Sequence, residues 1–327
     1  MTLTISIVVL VVGFVMLIKG ADIFVDASVN IAKRFGLPDI IIGLTIIAMG
    51  TAAPEIVIGV SDAIGGYGHI STGLVVGSNM FNLLFVIGVV ALIKPIDVRV
   101  REIARDYWVS VIPIVLLIVM KIVFVDTIPR AGSLVLLLGF FFYLFVLIRQ
   151  VVKGNKSGDV MAIELEQNDN PVALTPPTQS KPLWRSILFA LLGVAVIIAG
   201  GQMAVNSAVE IASVLGISQR IIGMTILAAG TSMPELVISL MACKKGKSGI
   251  AIGNVIGSNV VNLLFVLGLT GVIMPLSIDT NTVFDLGVLL VGSLIFLLFA
   301  YTGKKLVRFE GLLLVLIYCA YMLFAIV

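Results

Sequence analysis

GLTIIAMGTAAPE at residues 43 to 55 and GMTILAAGTSMPE at residues 223 to 235 lie 180 positions apart and agree at eight of thirteen places without a gap. The register continues downstream, where GSNMFNLLF (77 to 85) falls on GSNVVNLLF (257 to 265) with seven of nine identities. Upstream, Gly20 to Ala32 faces Gly200 to Ala212. Agreement of this extent marks a duplication rather than chance apolar similarity. Each copy also buries a Pro-Glu pair in an otherwise apolar run, a placement that needs a physical reason.

The surroundings of the two copies supply the setting. Of 327 residues, 60% are hydrophobic and 12% charged, far from the balance of a water-soluble domain. Apolar stretches run at 3 to 30, 40 to 62, 71 to 92, 107 to 125, 131 to 151, 184 to 205, 220 to 242, 250 to 272, 283 to 301 and 311 to 327. Each is near the ~20 residues that span a bilayer as a helix. The expected fold is an all-α integral membrane protein with ten transmembrane helices. The first stretch lacks a basic leader and continues through Lys19, Asp22 and Asp26, so it reads as a retained helix. Asp22, Asp26 and Glu210 read as helix-end residues solvated at the interface. Cys243 and Cys319 provide neither a disulfide framework nor a metal cluster.

Loop charges give the orientation. With the first residue outside, the cytoplasmic connections hold seventeen Lys and Arg, including Lys33, Arg34, Lys94, Lys244, Lys245 and Lys305. The outer ones hold three, Lys121, Arg130 and Arg220. That asymmetry places both termini outside the cytoplasm and supports ten spans. Five helices per half, an odd number, make the second copy enter the membrane from the opposite face, giving two inverted five-helix repeats, an architecture of secondary transporters. The expected units are residues 1 to 152, with its motif at 43 to 85; a polar cytoplasmic linker at 153 to 182; and residues 183 to 327, with its motif at 223 to 265. Glu164, Glu166 and Asp169 in the linker lack EF-hand spacing and read as a solvated run.

Glu55 and Glu235 have apolar residues on both sides, and a charge at bilayer depth normally faces a partner or a water-filled path. No Lys or Arg neighbours either in sequence, so cations or protons must neutralise them. Pro54 and Pro234 cannot donate to the carbonyls of Gly50 and Gly230, and the kink can also release those of Thr51 and Thr231. Two facing copies would offer two carboxylates and several carbonyls, a hard oxygen set suited to Ca2+. Ser78 and Ser258 add hydroxyls, and Asn82 and Asn262 add amides, which the duplication favours as ligands. Gly73, Gly77, Gly253 and Gly257 read as close helix contacts. The lone histidine, His69, in an expected outer loop, argues against a zinc or copper centre.

With these residues in place, the chain resembles the cation/calcium exchanger superfamily, most closely small prokaryotic sodium/calcium exchangers. The paired G-T-x-x-P-E and G-S-N-x-x-N motifs carry the likeness across both halves. The resemblance implies a site at the membrane centre where Glu55, Glu235 and the Thr51 and Thr231 carbonyls bind Ca2+. It implies Na+ sites that share the glutamates and add Ser78, Ser232, Ser258, the carbonyls of Ala48 and Ala228, and Asn82 and Asn262. It further implies three Na+ exchanged per Ca2+, no cofactor, and sliding of the segments at 3 to 30 and 184 to 205 against the rest. Ala52 stands where many relatives carry Ser, which puts Na+ affinity and stoichiometry in question. Asn262 stands where the potassium-dependent branch carries Asp, which weighs against K+ co-transport.

The nearest rival is Ca2+/H+ exchange, because a proton also neutralises a buried glutamate. A passive channel is disfavoured by the inverted repeats. An intramembrane enzyme would need a nucleophile with its base, or a metal motif such as H-E-x-x-H, and the sequence contains none, so no catalytic residue is expected. The basic clusters follow topology and lipid headgroups, with no sign of nucleic-acid binding. The expected partners are inorganic cations and membrane lipids, and the expected location is the cytoplasmic membrane.

Overall fold

The computed structural model describes residues 3–35, 39–65, 70–98, 100–124, 127–157, 182–214, 228–278, 280–303 and 305–326. Helix α1 spans Leu3–Phe35. Helix α2 is assembled from Asp39–Ile42, a π turn at Gly43–Ile47 and Ala48–Thr51, and α3 follows at Ala53–Gly65. Helix α4 joins Ile70–Met80 to Ile87–Ile93 through a π turn at Phe81–Val86. Then come α5 (Val100–Phe124), α6 (Arg130–Ser157) and α7 (Leu183–Val214). The second copy of the motif lies on α8 (Ala228–Thr231), α9 (Met233–Lys244) and α10, which runs from Ser248–Val260 through a π turn at Val261–Val266 to Leu267–Ile273. Helices α11 (Thr280–Gly303) and α12 (Arg308–Ile326) complete the chain.

Among the described residues seven helices are long and apolar enough to cross a membrane, or eight if the bent pair α2 and α3 is one span. The expected segment at 220 to 242 lies partly outside the described residues, and 311 to 327 falls on α12, which is not among the seven. Helix α6 continues to Ser157, so the linker expected from 153 begins as helix; residues 158 to 181 lie outside the described part, as does His69.

Burial sorts the helices. The span on α10 is 94% buried and that on α4 72%, whereas those on α1, α5, α6, α7 and α11 are 22% to 39% buried. The outer helices turn large apolar side chains outward, as Leu138, Phe141, Phe142 and Phe145 do on α6. So much exposed apolar surface suits lipid, not water. The two central helices carry π turns 180 residues apart, at Phe81–Val86 and Val261–Val266. Such turns occur mostly as single insertions, frequently at functional sites.

Close backbone approaches fix the packing. A Cβ on Gly253 would lie 2.5 Å from the Ile40 carbonyl oxygen, and one on Gly43 2.6 Å from that of Ile250, so α2 and α10 meet backbone to backbone. Gly257 serves the same contact, 2.7 Å from the Ala48 Cβ, as the sequence suggested. Gly73 departs from that expectation: a Cβ there would meet nothing within 4 Å. Helices α1 and α7 cross at Gly13 and Gly200, where a Cβ on Gly13 would be 2.8 Å from the Gly200 carbonyl oxygen.

Two short ribbons, not anticipated from sequence, tie the halves together. Strand β1 (Ile96–Asp97) pairs antiparallel with β4 (Lys305–Leu306), and β2 (Thr127–Ile128) with β3 (Leu276–Ser277). Because β1 corresponds to β3 and β2 to β4 in the duplicated sequence, each ribbon joins a strand to the counterpart of the other strand. An ion pair of 3.1 Å between Lys305 and Asp97 spans the first ribbon. Asp22 and Asp26 depart from the helix-end reading. They lie within α1, whose 33 residues exceed a single span, and Lys245 pairs with them at 2.6 and 2.7 Å.

Candidate functional site

The chain leaves helical geometry at Ala52 (φ −76°, ψ 3°) and Ser232 (φ −92°, ψ 7°). These positions are 180 residues apart, and helices α2 and α3 meet there at 45°. Hydrogen bonding is intact up to the break, with the Ala52 amide donating to the Ala48 carbonyl at 3.0 Å. Pro54 and Pro234 sit in the first turn of the restarting helix, where a missing amide hydrogen costs nothing. Their role is to start the second segment. Glu55 and Glu235 follow in those same first turns, where the positive end of the helix dipole favours a carboxylate.

Both glutamates are fully buried. Glu55 Oε1 accepts from the Ser78 hydroxyl at 3.3 Å and from the Ser232 hydroxyl at 3.5 Å. Glu55 Oε2 and both carboxylate oxygens of Glu235 have no hydrogen-bond partner. Thr231 lies beside Glu55, and Thr51 and Ser258 lie beside Glu235 without completing a hydrogen bond to it. The two carboxyls are near enough to interact electrostatically. Among the described residues no Lys or Arg pairs with either one. An unpaired charge in so dry a setting is costly, so the arrangement demands a positive ligand.

Neutral oxygens gather around Thr51, beside Glu235. The Thr51 hydroxyl lies 3.2 Å from the Ala48 carbonyl oxygen, 3.3 Å from Asn254 Oδ1 and 3.2 Å from the Ser258 hydroxyl. Asn262 Nδ2 donates to Asn79 Oδ1 at 3.4 Å, while both polar atoms of Asn82, Asn262 Oδ1 and Asn259 Oδ1 are buried without partners. Ala228 opens the short helix that leads to Thr231. Among the described residues no three His, Cys, Asp or Glu side chains cluster, so any ligands beyond the two carboxylates would be hydroxyls, amides and carbonyls. Such an all-oxygen set matches hard cations rather than zinc or copper.

The structure thus gathers Glu55, Thr51, Ala48 and Ser78 from one half with Ser232, Glu235 and Ser258 from the other. Sequence reading passed over Asn79, Asn259, Asn254 and Ser239. The asparagines at 79 and 259 were visible in the repeated GSN triplet. Asn254 and Ser239 had a subtler signal, since at the 180-residue offset they face Leu74 and Gly59, polar against apolar or absent side chains.

Uncompensated buried carboxylates among oxygen donors, inside a bundle of apolar helices, are what a membrane ion transporter requires. Comparison with known proteins gives the family. The family model described as Sodium/calcium exchanger protein matches residues 5–149 and 185–327. CaxA of Alkalimonas amylolytica is 38% identical, covering 95% of both chains. A sodium/calcium exchanger of Methanosarcina acetivorans, MaX1, is 31% identical over 98% of both. Among solved structures, the sodium-calcium exchanger NCX_Mj soaked with 10 mM Na+ and zero Ca2+ superposes with a TM-score of 0.78 at 28% identity, covering 98% of each chain. The chain belongs to the sodium/calcium exchanger family of multi-pass membrane proteins.

Proposed function

We propose that the protein is a secondary antiporter that exchanges Ca2+ for Na+ at one shared site. The observation that carries this reading is the pair of buried glutamates, three of whose four carboxylate oxygens are unpartnered and with which no Lys or Arg among the described residues pairs. Glu55, Glu235 and the Thr51 and Thr231 carbonyls hold Ca2+. Na+ uses the same carboxylates with Ser78, Ser232, Ser258, the Ala48 and Ala228 carbonyls, Asn82 and Asn262. Only a neutralised site crosses the occluded state at low cost, so competition for the carboxylates couples the two fluxes. A tenfold Na+ gradient supplies about 1.4 kcal/mol per ion. Ten spans in two inverted repeats, bounded at 1 to 152 and 183 to 327, present this site alternately to each side of the cytoplasmic membrane, with both termini outside. The names of MaX1 and NCX_Mj support the choice of ions.

Proton coupling is the second reading, favoured by Ala52, which denies Glu235 the counterpart of the Ser232 hydroxyl that Glu55 receives. Reconstituted vesicles separate the two: labelled Ca2+ enters under an outward Na+ gradient at fixed pH, and a pH gradient without Na+ drives none. Uptake under the pH gradient alone would reverse the assignment.

A further inference from the structure

Asn254 is fully buried on α10, and its whole side chain is engaged. Nδ2 donates to the Ser239 hydroxyl at 3.0 Å and to the Glu235 carbonyl at 3.3 Å. A carbonyl can only accept, so the nitrogen faces Glu235 and the oxygen, Oδ1, must face the Thr51 hydroxyl, 3.3 Å away. Asn254 also sits where two helices meet closely. Its backbone nitrogen lies at the tight approach of α2, where a Cβ on Gly43 would come within 2.8 Å of it.

This geometry bears on a single proton. The Thr51 hydroxyl has one hydrogen and three oxygens within reach, the Ala48 carbonyl at 3.2 Å, Asn254 Oδ1 at 3.3 Å and the Ser258 hydroxyl at 3.2 Å; the first two can only accept, whereas Ser258 can donate in return. With the hydrogen on Ala48, a carbonyl of the site is capped and the hydroxyl is turned away from a cation. With the hydrogen on Asn254, the Ala48 oxygen keeps only the Ala52 amide and has a lone pair free for a cation, and the Thr51 lone pairs face Ser258, 3.2 Å away. At the equivalent position of the first half stands Leu74, which offers Thr231 no such acceptor, and Gly59 replaces Ser239.

We infer that Asn254 is a positioning residue for monovalent cation binding: by drawing the Thr51 proton away from Ala48, it presets one half of the site for Na+ and makes the halves unequal. The inference rests on the antiport reading above. It acts on hydroxyl and carbonyl orientation near Glu235, so it bears on Na+ more than on Ca2+, whose binding is dominated by the two carboxylates.

The test is labelled Ca2+ flux in proteoliposomes, with the apparent KM for Na+ and for Ca2+ measured on each variant. Asn254→Leu, which copies the residue of the other half, raises the KM for Na+ about tenfold, the equivalent of one good hydrogen bond, and leaves that for Ca2+ within about twofold. On a Thr51→Val background the same change shifts the KM for Na+ less than about twofold, because the hydroxyl through which it acts is gone. Ser239→Ala, a smaller change that loosens the amide, raises the KM for Na+ about threefold and decides the matter should Asn254→Leu not insert. Equal shifts for both ions, a fall in maximal rate alone, or additive effects with Thr51→Val overturn the inference while the antiport reading stands. Absence of Na+-driven flux in the wild type removes that reading, and this inference with it.

Discussion

The Ser232 hydroxyl donates to Glu55 Oε1 at 3.5 Å, so the helix break of the second half serves the carboxylate of the first. The reciprocal bond does not exist, because the residue 180 positions earlier is Ala52, buried and without a hydroxyl. Glu55 therefore has two serine donors on one oxygen, and Glu235 has none on either. A two-fold scaffold thus holds a lopsided site.

Restoring the hydroxyl should restore the balance. Ala52→Ser is expected to lower the KM for Na+ about fivefold, the worth of one hydrogen bond or neutral ligand, in Na+-dependent Ca2+ flux. Ser232→Ala should move it the other way by a similar factor. An Ala52→Ser protein with wild-type Na+ dependence would mean that the break is not aimed at Glu235.

Glu235 sacrifices stability for its role, since both its oxygens are buried without partners. In cation-free detergent solution, Glu235→Gln should raise the melting temperature by roughly 2 to 4 °C, because a neutral amide is cheaper to bury than an unpaired carboxylate. Ca2+ at a hundred times its Kd should stabilise the wild type by about 2.7 kcal/mol and leave this variant unmoved. A Ca2+-dependent melt that survives the substitution would place binding elsewhere.

Helix α2 can reach α10 only because neither carries a side chain at the crossing. Gly253→Ala puts a Cβ 2.5 Å from the Ile40 carbonyl oxygen, a backbone atom with little room to retreat. The expected cost is about 1 to 3 kcal/mol, seen as a lower melting temperature together with weaker cation binding, since Thr51 moves with α2. Gly73→Ala, with nothing within 4 Å of the new Cβ, should be nearly silent.

Much of this was readable from the chain. A constant 180-residue offset exposed the duplication, and the isolated Pro-Glu pairs marked the breaks and the carboxylates. The position of each break was less legible: proline suggested released glycine carbonyls, whereas the helix yields two residues later, at Ala52 and Ser232, and proline begins the next segment. Asn254 and Ser239 were hidden because the two halves differ there, so a search for repeated residues passes over them. The ribbons escaped because two-residue strands have no periodicity, and because Thr127–Ile128 and Lys305–Leu306 no longer keep the 180-residue register. The partner of Asp22 and Asp26 was out of view because Lys245 lies more than two hundred residues away along the chain.

That ion pair gives a pH prediction. Partial burial lowers the Lys245 pKa, but bonds and charges from Asp22 and Asp26 outweigh it, and the net shift is upward. A raised folded-state value means that the contribution is fully present below the unfolded lysine value near 10.4 and is lost as pH rises through the folded one. Stability at pH 6 to 9 should therefore be flat with respect to this group, and Lys245→Ala should remove a decline seen only above about pH 10. Its effect at neutral pH should be under about 1 kcal/mol and vanish in high salt, because the partners are largely exposed.

The central claim is that Glu55 and Glu235 together form one site for which Ca2+ and Na+ compete. Equilibrium binding of labelled Ca2+ to the purified protein, titrated with Na+ at fixed pH and ionic strength, tests it most directly. The account predicts saturable Ca2+ binding that Na+ displaces completely, absent from both Glu55→Gln and Glu235→Gln. Ca2+ binding that persists in either variant, or that saturating Na+ leaves in place, would contradict it.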